Sequence, residues 1–207
     1  MSRWKRDETY RKRAKEVGYR SRAGFKILEI DKRFEILKDA HRVVDLCCAP
    51  GSWLQVIRER CVAPESIIVG VDQTYVQPIQ GVYIIQESIE SPDLIQQLRD
   101  ILQKPADAVL SDCAPRLTGN KSLDRERQVW LAKLSFQLAT ELLERKGSFV
   151  TKVFQSEAFR DFTKQVKECF NLVKTYKPQS SFKRSPEMYL IAKGYRGCEK
   201  PPSQDVL

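Results

Sequence analysis

The sequence contains a single histidine, His41, and none of its six cysteines lies in a CxxC pair. A histidine-based metal site needs more than one imidazole, and thiolate zinc sites usually contain closely spaced cysteine pairs. Disulfide frameworks are typical of short secreted chains, whereas this chain has 207 residues. We therefore expect no metal site, and we expect the cysteines to be buried free thiols at strand ends.

Long apolar runs are also missing. No stretch approaches the roughly 20 residues that cross a bilayer, and the first seven residues lack the apolar core of a signal peptide. We therefore expect a cytoplasmic protein without a membrane segment. A chain of 207 residues that is 42% hydrophobic can bury a substantial core, so we treat residues 1–207 as one domain. Nothing indicates an obligate dimer, and we expect a monomer.

The positive charge is concentrated at the N-terminus. Residues 1–26 hold ten Lys/Arg against three Asp/Glu, which accounts for +7 of the net charge of +9. The aromatic residues Trp4, Tyr10 and Tyr19 are interleaved with these cations. Cations hold phosphates and aromatic rings stack on unpaired bases, so residues 1–21 are predicted to be a basic RNA-contacting arm. A solvated tail without a function is the alternative, and residues 196–207 are expected to be a loose tail.

Apolar runs and periodicity predict alternating strands and helices. An amphipathic helix capped by Ser21 is expected over 22–37. Strands are expected over 43–47, 66–72, 82–86, 106–112, 148–154, 171–177 and 187–193, and further helices over 52–61, 91–103, 123–145 and 157–170. Alternation of this kind predicts an α/β fold with a doubly wound, seven-stranded, Rossmann-like sheet, and the last two strands should form an antiparallel hairpin.

The segment 43–53 (VVDLCCAPGSW) predicts where a ligand would bind. A buried strand is followed by small residues and by Gly51, which allow a bound molecule to approach the backbone. In open α/β sheets, ligands bind at the carboxyl ends of such strands. Asp72 ends the next strand, where a carboxylate can accept hydrogen bonds from ribose hydroxyls. Since neither GxGxxG nor a phosphate-binding loop is present, a nucleoside cofactor without pyrophosphate fits best, and S-adenosylmethionine is the obvious choice.

Four charged residues stand out by their positions. Asp112 ends the fourth strand and Glu187 opens the last one. Lys152 lies within an apolar strand, where an unpaired ammonium group would be costly to bury. Lys26 lies beside the apolar stripe of the first predicted helix, a position at which a lysine is usually a surface residue.

Five segments in correct order and spacing resemble the FtsJ/RrmJ (RlmE) family of RNA ribose 2′-O-methyltransferases, over about residues 7 to 195. They are YRSRAGFK (19–26), DLCCAPGSW (45–53), SDCAP (111–115), GSFVTKVF (147–154) and SPEMY (185–189). The resemblance implies a class I S-adenosylmethionine-dependent methyltransferase fold. It also implies methylation of large-subunit ribosomal RNA on the ribose of a uridine.

The resemblance also assigns residues. The catalytic set would be Lys26, Asp112, Lys152 and Glu187. The cofactor site would include Gly51, Trp53, Asp72, Ser88 and Asp112. The family often carries an acidic residue at the position of Ser88, so the contact to the adenine is open between Ser88 and the adjacent Glu87.

The residues favour a specific mechanism. A ribose hydroxyl is a poor nucleophile, so the reaction needs in-line alignment and removal of its proton. Two lysines and a sulfonium repel one another, which favours proton loss from one lysine. Our hypothesis makes Lys152 the general base, oriented by Asp112, while Lys26 and Glu187 position the ribose. Phosphates would contact a basic collar that adds four residues to the N-terminal block: Arg116, Lys121, Lys183 and Arg184.

Two other functions remain compatible with the sequence. A transfer-RNA ribose methyltransferase of the same family would carry the same catalytic residues. A non-catalytic RNA-binding or ribosome-assembly factor would retain the fold without the reaction. Methylation of a protein or a small molecule is less favoured, because the basic N-terminal block would then have no role.

Overall fold

Seven strands form one mixed sheet in the computed structural model of the chain, which describes residues 3–182 and 185–198, with residues 3–7 described by their backbone alone. The strand order is β3-β2-β1-β4-β5-β7-β6. β7 runs antiparallel to both of its neighbours, and the other adjacent strands pair in parallel. The predicted doubly wound sheet with a terminal antiparallel hairpin is confirmed.

The helices and strands alternate along most of the chain. The strands are β1 (Arg42–Leu46), β2 (Ile67–Val71), β3 (Tyr83–Ile85), β4 (Ala106–Ser111), β5 (Leu143–Phe154), β6 (Phe170–Tyr176) and β7 (Glu187–Tyr195). The helices are α1 (Arg3–Glu16), α2 (Gly24–Phe34), α3 (Ser52–Arg60), α4 (Leu94–Leu102), α5 (Lys121–Leu142) and α6 (Glu157–Cys169). None of the helices in the described part of the chain is long and apolar enough to cross a membrane.

Helices cover both faces of the sheet. Helices α4, α5 and α6 pack on one face around Phe136, which is surrounded by Phe149, Phe162 and Phe170. Helices α2 and α3 cover the opposite face. Gly70 in β2 allows this close packing, because a Cβ atom there would lie 2.6 Å from the Cδ1 atom of Leu54. With both faces covered, the strand ends are where a ligand is expected to bind.

The strand order reverses between β1 and β4. From β1 the chain proceeds outward to β2 and β3, and then returns to β4 on the other side of β1. A crevice forms at such a switch point because the connections leave in opposite directions. The functional site is therefore expected at the carboxyl ends of β1 and β4.

The basic N-terminal segment, for which the sequence predicted no secondary structure, is helical over residues 3–16. Arg, Lys, Glu and Ala favour helix formation, and Ala14 is buried. The segment is docked on α2, since the ring of Tyr10 lies 5.5 Å from that of Phe25, and the Arg13 guanidinium lies 5.4 Å from the same ring. The expected C-terminal tail lies outside the described residues from position 199 onward.

The predicted cap of α2 was wrong. The helix begins at Gly24 and ends at Phe34, whereas a helix over 22–37 was expected. Ser21 Oγ accepts a hydrogen bond from the Ala23 N–H at 3.2 Å, so it closes the turn before the helix. The same oxygen accepts a hydrogen bond of 2.8 Å from Ser52 Oγ, which joins this turn to the start of α3.

The boundary between α5 and β5 was also predicted wrongly. The helix ends at Leu142 and the strand begins at Leu143, five residues before the expected start at 148. Leu143 pairs with Ala106, and the register shifts between Ala106 and Ala108. Pairing with β4 therefore extends the strand into a segment whose local sequence is typical of a helix.

The expectation that all cysteines are free thiols was wrong. Within the described residues, disulfides join Cys47 to Cys113 and Cys169 to Cys198, while Cys48 and Cys61 are buried free thiols. Cys47 follows β1 and Cys113 follows β4. These strands are neighbours in the sheet, so two residues 66 positions apart come together. The pairing depends on strand order, which cysteine spacing does not reveal.

The start of β1 depends on Asp107 in β4. Its Oδ2 atom accepts hydrogen bonds from the N–H groups of His41 and Arg42, at 2.7 and 2.6 Å. Asp107→Ala leaves both donors without this partner, and we expect a loss of about 2–3 kcal/mol in the free energy of unfolding. Thermal denaturation should show a Tm lower by about 5–10 °C.

The matched control is Asp93→Ala. Asp93 is exposed and its side chain makes no capping hydrogen bond at the start of α4. Its Tm should fall by less than about 2 °C. Equal effects of the two substitutions would contradict a specific role of Asp107.

Candidate active site

The predicted catalytic residues come together at the end of the sheet where the parallel strands have their carboxyl ends. Asp112 follows β4, and Lys152 lies near the end of the neighbouring parallel strand β5. β7 is antiparallel to β5, so its first residue, Glu187, pairs with Phe154 at the same edge. Lys26 reaches the site from the first turn of α2. Four separate elements therefore contribute one charged group each.

Lys152 is held by Asp112. Its Nζ atom lies 3.2 Å from Asp112 Oδ1 and donates a hydrogen bond of 2.5 Å to the Asp112 carbonyl oxygen. The Lys152 residue is only 5% exposed, so the ammonium group exchanges water for these oxygen atoms. Tyr189 donates a second hydrogen bond to Asp112 Oδ1, at 2.6 Å. The carboxylate is thereby fixed from two adjacent strands.

Lys26 connects the two carboxylates. Its Nζ atom lies 2.8 Å from Glu187 Oε1 and 4.0 Å from Asp112 Oδ2. Ser181 Oγ donates a further hydrogen bond of 2.8 Å to Glu187 Oε1. Two ammonium groups and two carboxylates balance in charge, which makes this buried arrangement electrostatically feasible.

The pKa values of the acidic groups follow from these contacts. Burial raises the pKa of Asp112, but the charges of Lys152 and Lys26 and the Tyr189 hydroxyl outweigh that effect, so the pKa lies below its ordinary value. Burial and the carboxylates of Asp112 and Glu187 raise the pKa of Tyr189 well above its ordinary value. At neutral pH, Asp112 is therefore a carboxylate and Tyr189 a hydroxyl donor.

Tyr189 and Gln128 support the site, although the sequence did not single them out. The Gln128 side chain is buried in α5 and donates to the carbonyl oxygens of Lys152, at 2.9 Å, and Cys113, at 3.1 Å. It thus joins β5 to the segment after β4. A glutamine on a mostly polar helix gives no signal in sequence, because only the packing of α5 on the sheet reveals its burial.

A cavity of about 300 Å³ lies beside the charged cluster. Its walls include Asp72, Ser88 and Asp112 from the predicted cofactor site, and also Glu87. Asp72 is fixed by the N–H groups of Ala49, at 2.9 Å, and Thr74, at 2.8 Å. The cavity therefore lies at the switch point, and its lining includes several carboxylates.

The other two predicted cofactor residues lie elsewhere. Trp53 lines a smaller adjoining cavity and donates its indole N–H to the Ala23 carbonyl oxygen at 2.9 Å. Gly51 is not among the residues that line either cavity. Its φ of 104° is a left-handed conformation, and a Cβ atom there would lie 2.6 Å from Arg20 Nη1. Gly51 thus makes room for Arg20 and shapes the turn.

Asp45 in β1 was not singled out by sequence. It is fully buried and lines the smaller cavity, and neither of its carboxylate oxygens has a hydrogen-bond partner within the described part of the chain. Burial, followed by the charges of Asp112 and Asp72, raises its pKa well above the ordinary value. A buried acid in an apolar strand is itself a signal that sequence analysis could have used.

Only part of the predicted basic collar can be placed. Arg116 and Lys121 are exposed in and just after the segment that follows β4, near the open edge of the sheet. Lys183 and Arg184 lie outside the described residues. Helix α1 carries most of the N-terminal cations and packs beside α2, which supplies Lys26.

Known proteins with similar sequences identify the family of this chain. A family model described as FtsJ-like methyltransferase matches residues 19–195. The chain is 42% identical over 209 residues to the ribosomal RNA large subunit methyltransferase E of Methanosphaera stadtmanae, covering 97% of this chain and 100% of that protein. It is also 42% identical to the protein of the same name from Methanothrix thermoacetophila, covering 93% and 74% of the two chains.

Two solved structures of methyltransferases share the fold of this chain. A crystal structure described as a ribosomal RNA methyltransferase from Plasmodium falciparum is 34% identical, with a TM-score of 0.78, and the match covers 86% of this chain and 100% of that one. A structure from Streptococcus mutans, described as a methyltransferase in complex with SAH, is 15% identical, with a TM-score of 0.51 and coverage of 80% and 97%, and it shows the fold alone. The resemblance stated from the sequence is confirmed. The chain belongs to the FtsJ-like methyltransferase family.

Proposed function

We propose that this protein transfers a methyl group from S-adenosylmethionine to a ribose 2′-hydroxyl of large-subunit ribosomal RNA, at a uridine. One observation carries the proposal: Asp112 contacts both lysines of the charged cluster and also lines the adjoining cavity. A hydroxyl placed at the lysines would therefore lie next to a cofactor in that cavity. The names of the similar proteins point to the same substrate class.

The residues present fit S-adenosylmethionine. Asp72 offers a fixed carboxylate to ribose hydroxyls. The unpaired carboxylate of Asp45 fits the ammonium group of the amino-acid part, because a positive partner would offset the cost of burying this acid. Ser88 and Glu87 both line the same cavity as Asp72, and either of them would be able to contact the adenine. The cofactor would supply a methyl group that is already activated by the sulfonium charge.

The protein groups divide the remaining work. We assign Lys152 the removal of the hydroxyl proton at Nζ, since this atom is fixed by Asp112 and Asp112 borders the cavity. In this step the neutral amine form of Lys152 accepts the proton and becomes the ammonium group that Asp112 holds. Lys26 and Glu187, bonded to each other, would hold the ribose so that its oxygen is aligned with the methyl group. Phosphates of the RNA would contact α1 and the exposed Arg116 and Lys121.

Mapping of 2′-O-methyl groups tests the proposal directly. Purified large-subunit ribosomal RNA and transfer RNA should be incubated with the protein and S-adenosylmethionine. We expect one new mark on a uridine of the ribosomal RNA. If methyl groups appear on transfer RNA alone, transfer RNA is the substrate and the proposed ribosomal RNA substrate is wrong. The absence of any new methyl group would contradict the proposed reaction.

Lys152→Ala should reduce kcat by at least about 100-fold, which is the lower range for losing a general base. Binding of S-adenosylhomocysteine, measured by calorimetry, should stay nearly unchanged, because Lys152 is not among the cavity-lining residues. Lys164→Ala, an exposed lysine on α6, is the control and should keep full activity. If cofactor binding disappears together with activity in the Lys152 variant, this lysine is structural.

Asp45→Asn should stabilise the protein without cofactor. The folded-state pKa of Asp45 is raised, so the folded wild type binds more protons than the unfolded chain, and its stability falls as pH rises above about 4. Asparagine removes this loss, so the variant's Tm advantage should grow between pH 4 and 7. Adding S-adenosylhomocysteine should raise its Tm less than that of the wild type. An equal ligand-induced shift would contradict an ammonium partner for Asp45.

RNA binding should weaken steeply with salt. Replacing Arg116 and Lys121 by glutamine should reduce the slope of log K against log salt by about 1.4, that is, about 0.7 per lost phosphate contact on single strands. The control is Lys104→Gln together with Lys164→Gln. Lys104 precedes β4 and so lies at the amino ends of the parallel strands, away from the site, and Lys164 is an exposed residue of α6. Filter binding at four salt concentrations measures the slope for each double variant. Equal slopes for the Arg116/Lys121 variant and the control would contradict phosphate contacts by the basic collar.

A further inference from the structure

Glu29 holds the segment that precedes β7. It lies on α2, one turn after Lys26, and is half-buried. Its carboxylate oxygens accept hydrogen bonds from the backbone N–H groups of Gln179, at 2.5 Å, and Ser180, at 3.0 Å. Hydrogen bonds from a carboxylate to two consecutive N–H groups are charge-assisted and fix the local backbone direction.

The segment so held reaches the charged cluster within one residue. Ser181 follows Ser180 directly, and its N–H bonds the Pro178 carbonyl oxygen at 3.1 Å, which closes a turn. Ser180 and Ser181 are both buried, so the turn packs against the body of the protein. The Ser181 hydroxyl then donates to Glu187 Oε1, the same oxygen that contacts Lys26.

These contacts form a closed path. It leaves α2 at Glu29, passes through the backbone of 179–181 and the Ser181 hydroxyl to Glu187, and returns to α2 at Lys26. The path involves no residue that lines either cavity described above. Any effect of Glu29 should therefore fall on the ribose side of the site rather than on the cofactor side.

We infer that Glu29 is a positioning residue for methyl transfer, which fixes Ser181 and through it the Lys26–Glu187 pair that holds the acceptor ribose. The inference rests on the proposed function. Because misplacement of a reacting group by about 1 Å can cost 100-fold in rate, loosening this path should act on turnover.

The test variant is Glu29→Gln. Glutamine has the same shape but only one acceptor oxygen, so one of the two backbone N–H groups loses its partner. We expect kcat for RNA methylation to fall about 10-fold or more. The dissociation constant of S-adenosylhomocysteine should change less than about twofold. Glu168→Gln, an exposed glutamate at the end of α6, is the matched control and should keep wild-type kcat.

A double-mutant cycle separates positioning from general destabilisation. Ser181→Ala removes the hydroxyl that links the turn to Glu187 and leaves the Glu29 contacts intact. If both residues act on one path, the Glu29→Gln/Ser181→Ala double variant should lose no more kcat than the more affected single variant. Multiplying losses would overturn the inference, as would a Glu29→Gln variant with wild-type kcat.

A second measurement does not depend on activity. Amide hydrogen exchange should be faster at residues 179–181 in Glu29→Gln than in the wild type, and unchanged in β1 and β4. Unchanged exchange at 179–181 would overturn the inference. Faster exchange throughout the sheet would assign Glu29 a merely structural role and overturn it as well. A wild type without methyl-transfer activity would instead contradict the proposed function, whatever the exchange result.

Discussion

The charged cluster depends on one carboxylate, Asp112, which lies between two ammonium groups. Lys152 and Lys26 are nearly buried, and each would be costly to desolvate alone. Asp112 lowers that cost for both, and their charges in turn keep its own pKa low. Glu187 completes the charge balance, and removing any one of the four groups would leave the cluster with an uncompensated charge. The groups are therefore mutually dependent, and this explains why a buried strand can carry a lysine.

The sheet topology makes this contact possible. Parallel β4 and β5 end at the same edge, so the residue after one strand meets a side chain near the end of the other. β7 is antiparallel and begins where its neighbours end, which places Glu187 at that edge. The same edge opens onto the cavity at the switch point between β1 and β4. Charge balance and the position of the cavity thus have one geometric origin.

Much of the fold could be predicted from sequence, since apolar strands and their carboxyl ends are local signals. The number of strands, the terminal hairpin and the position of Asp72 in the ligand cavity were predicted from such signals. The errors lie where distant contacts override local preference. Ser21 bonds across to Ser52 instead of capping α2, and β5 extends to Leu143 because β4 lies beside it. The Cys47–Cys113 disulfide likewise depends on two strands being neighbours.

The sequence by itself determined the fold class, the family and which charged residues occupy unusual positions. Apolar patterning, short motifs and strand ends depend on residues that are close together in the chain, so they can be recognised without the tertiary structure. Only the tertiary structure decided the partners of those residues. It placed Gly51 against Arg20 rather than in a cavity, left Asp45 unpaired, and brought Glu29 to a backbone 150 residues away. Hydrogen bonds and desolvation depend on distances of a few ångströms between remote segments, and such distances exist only once the chain has folded.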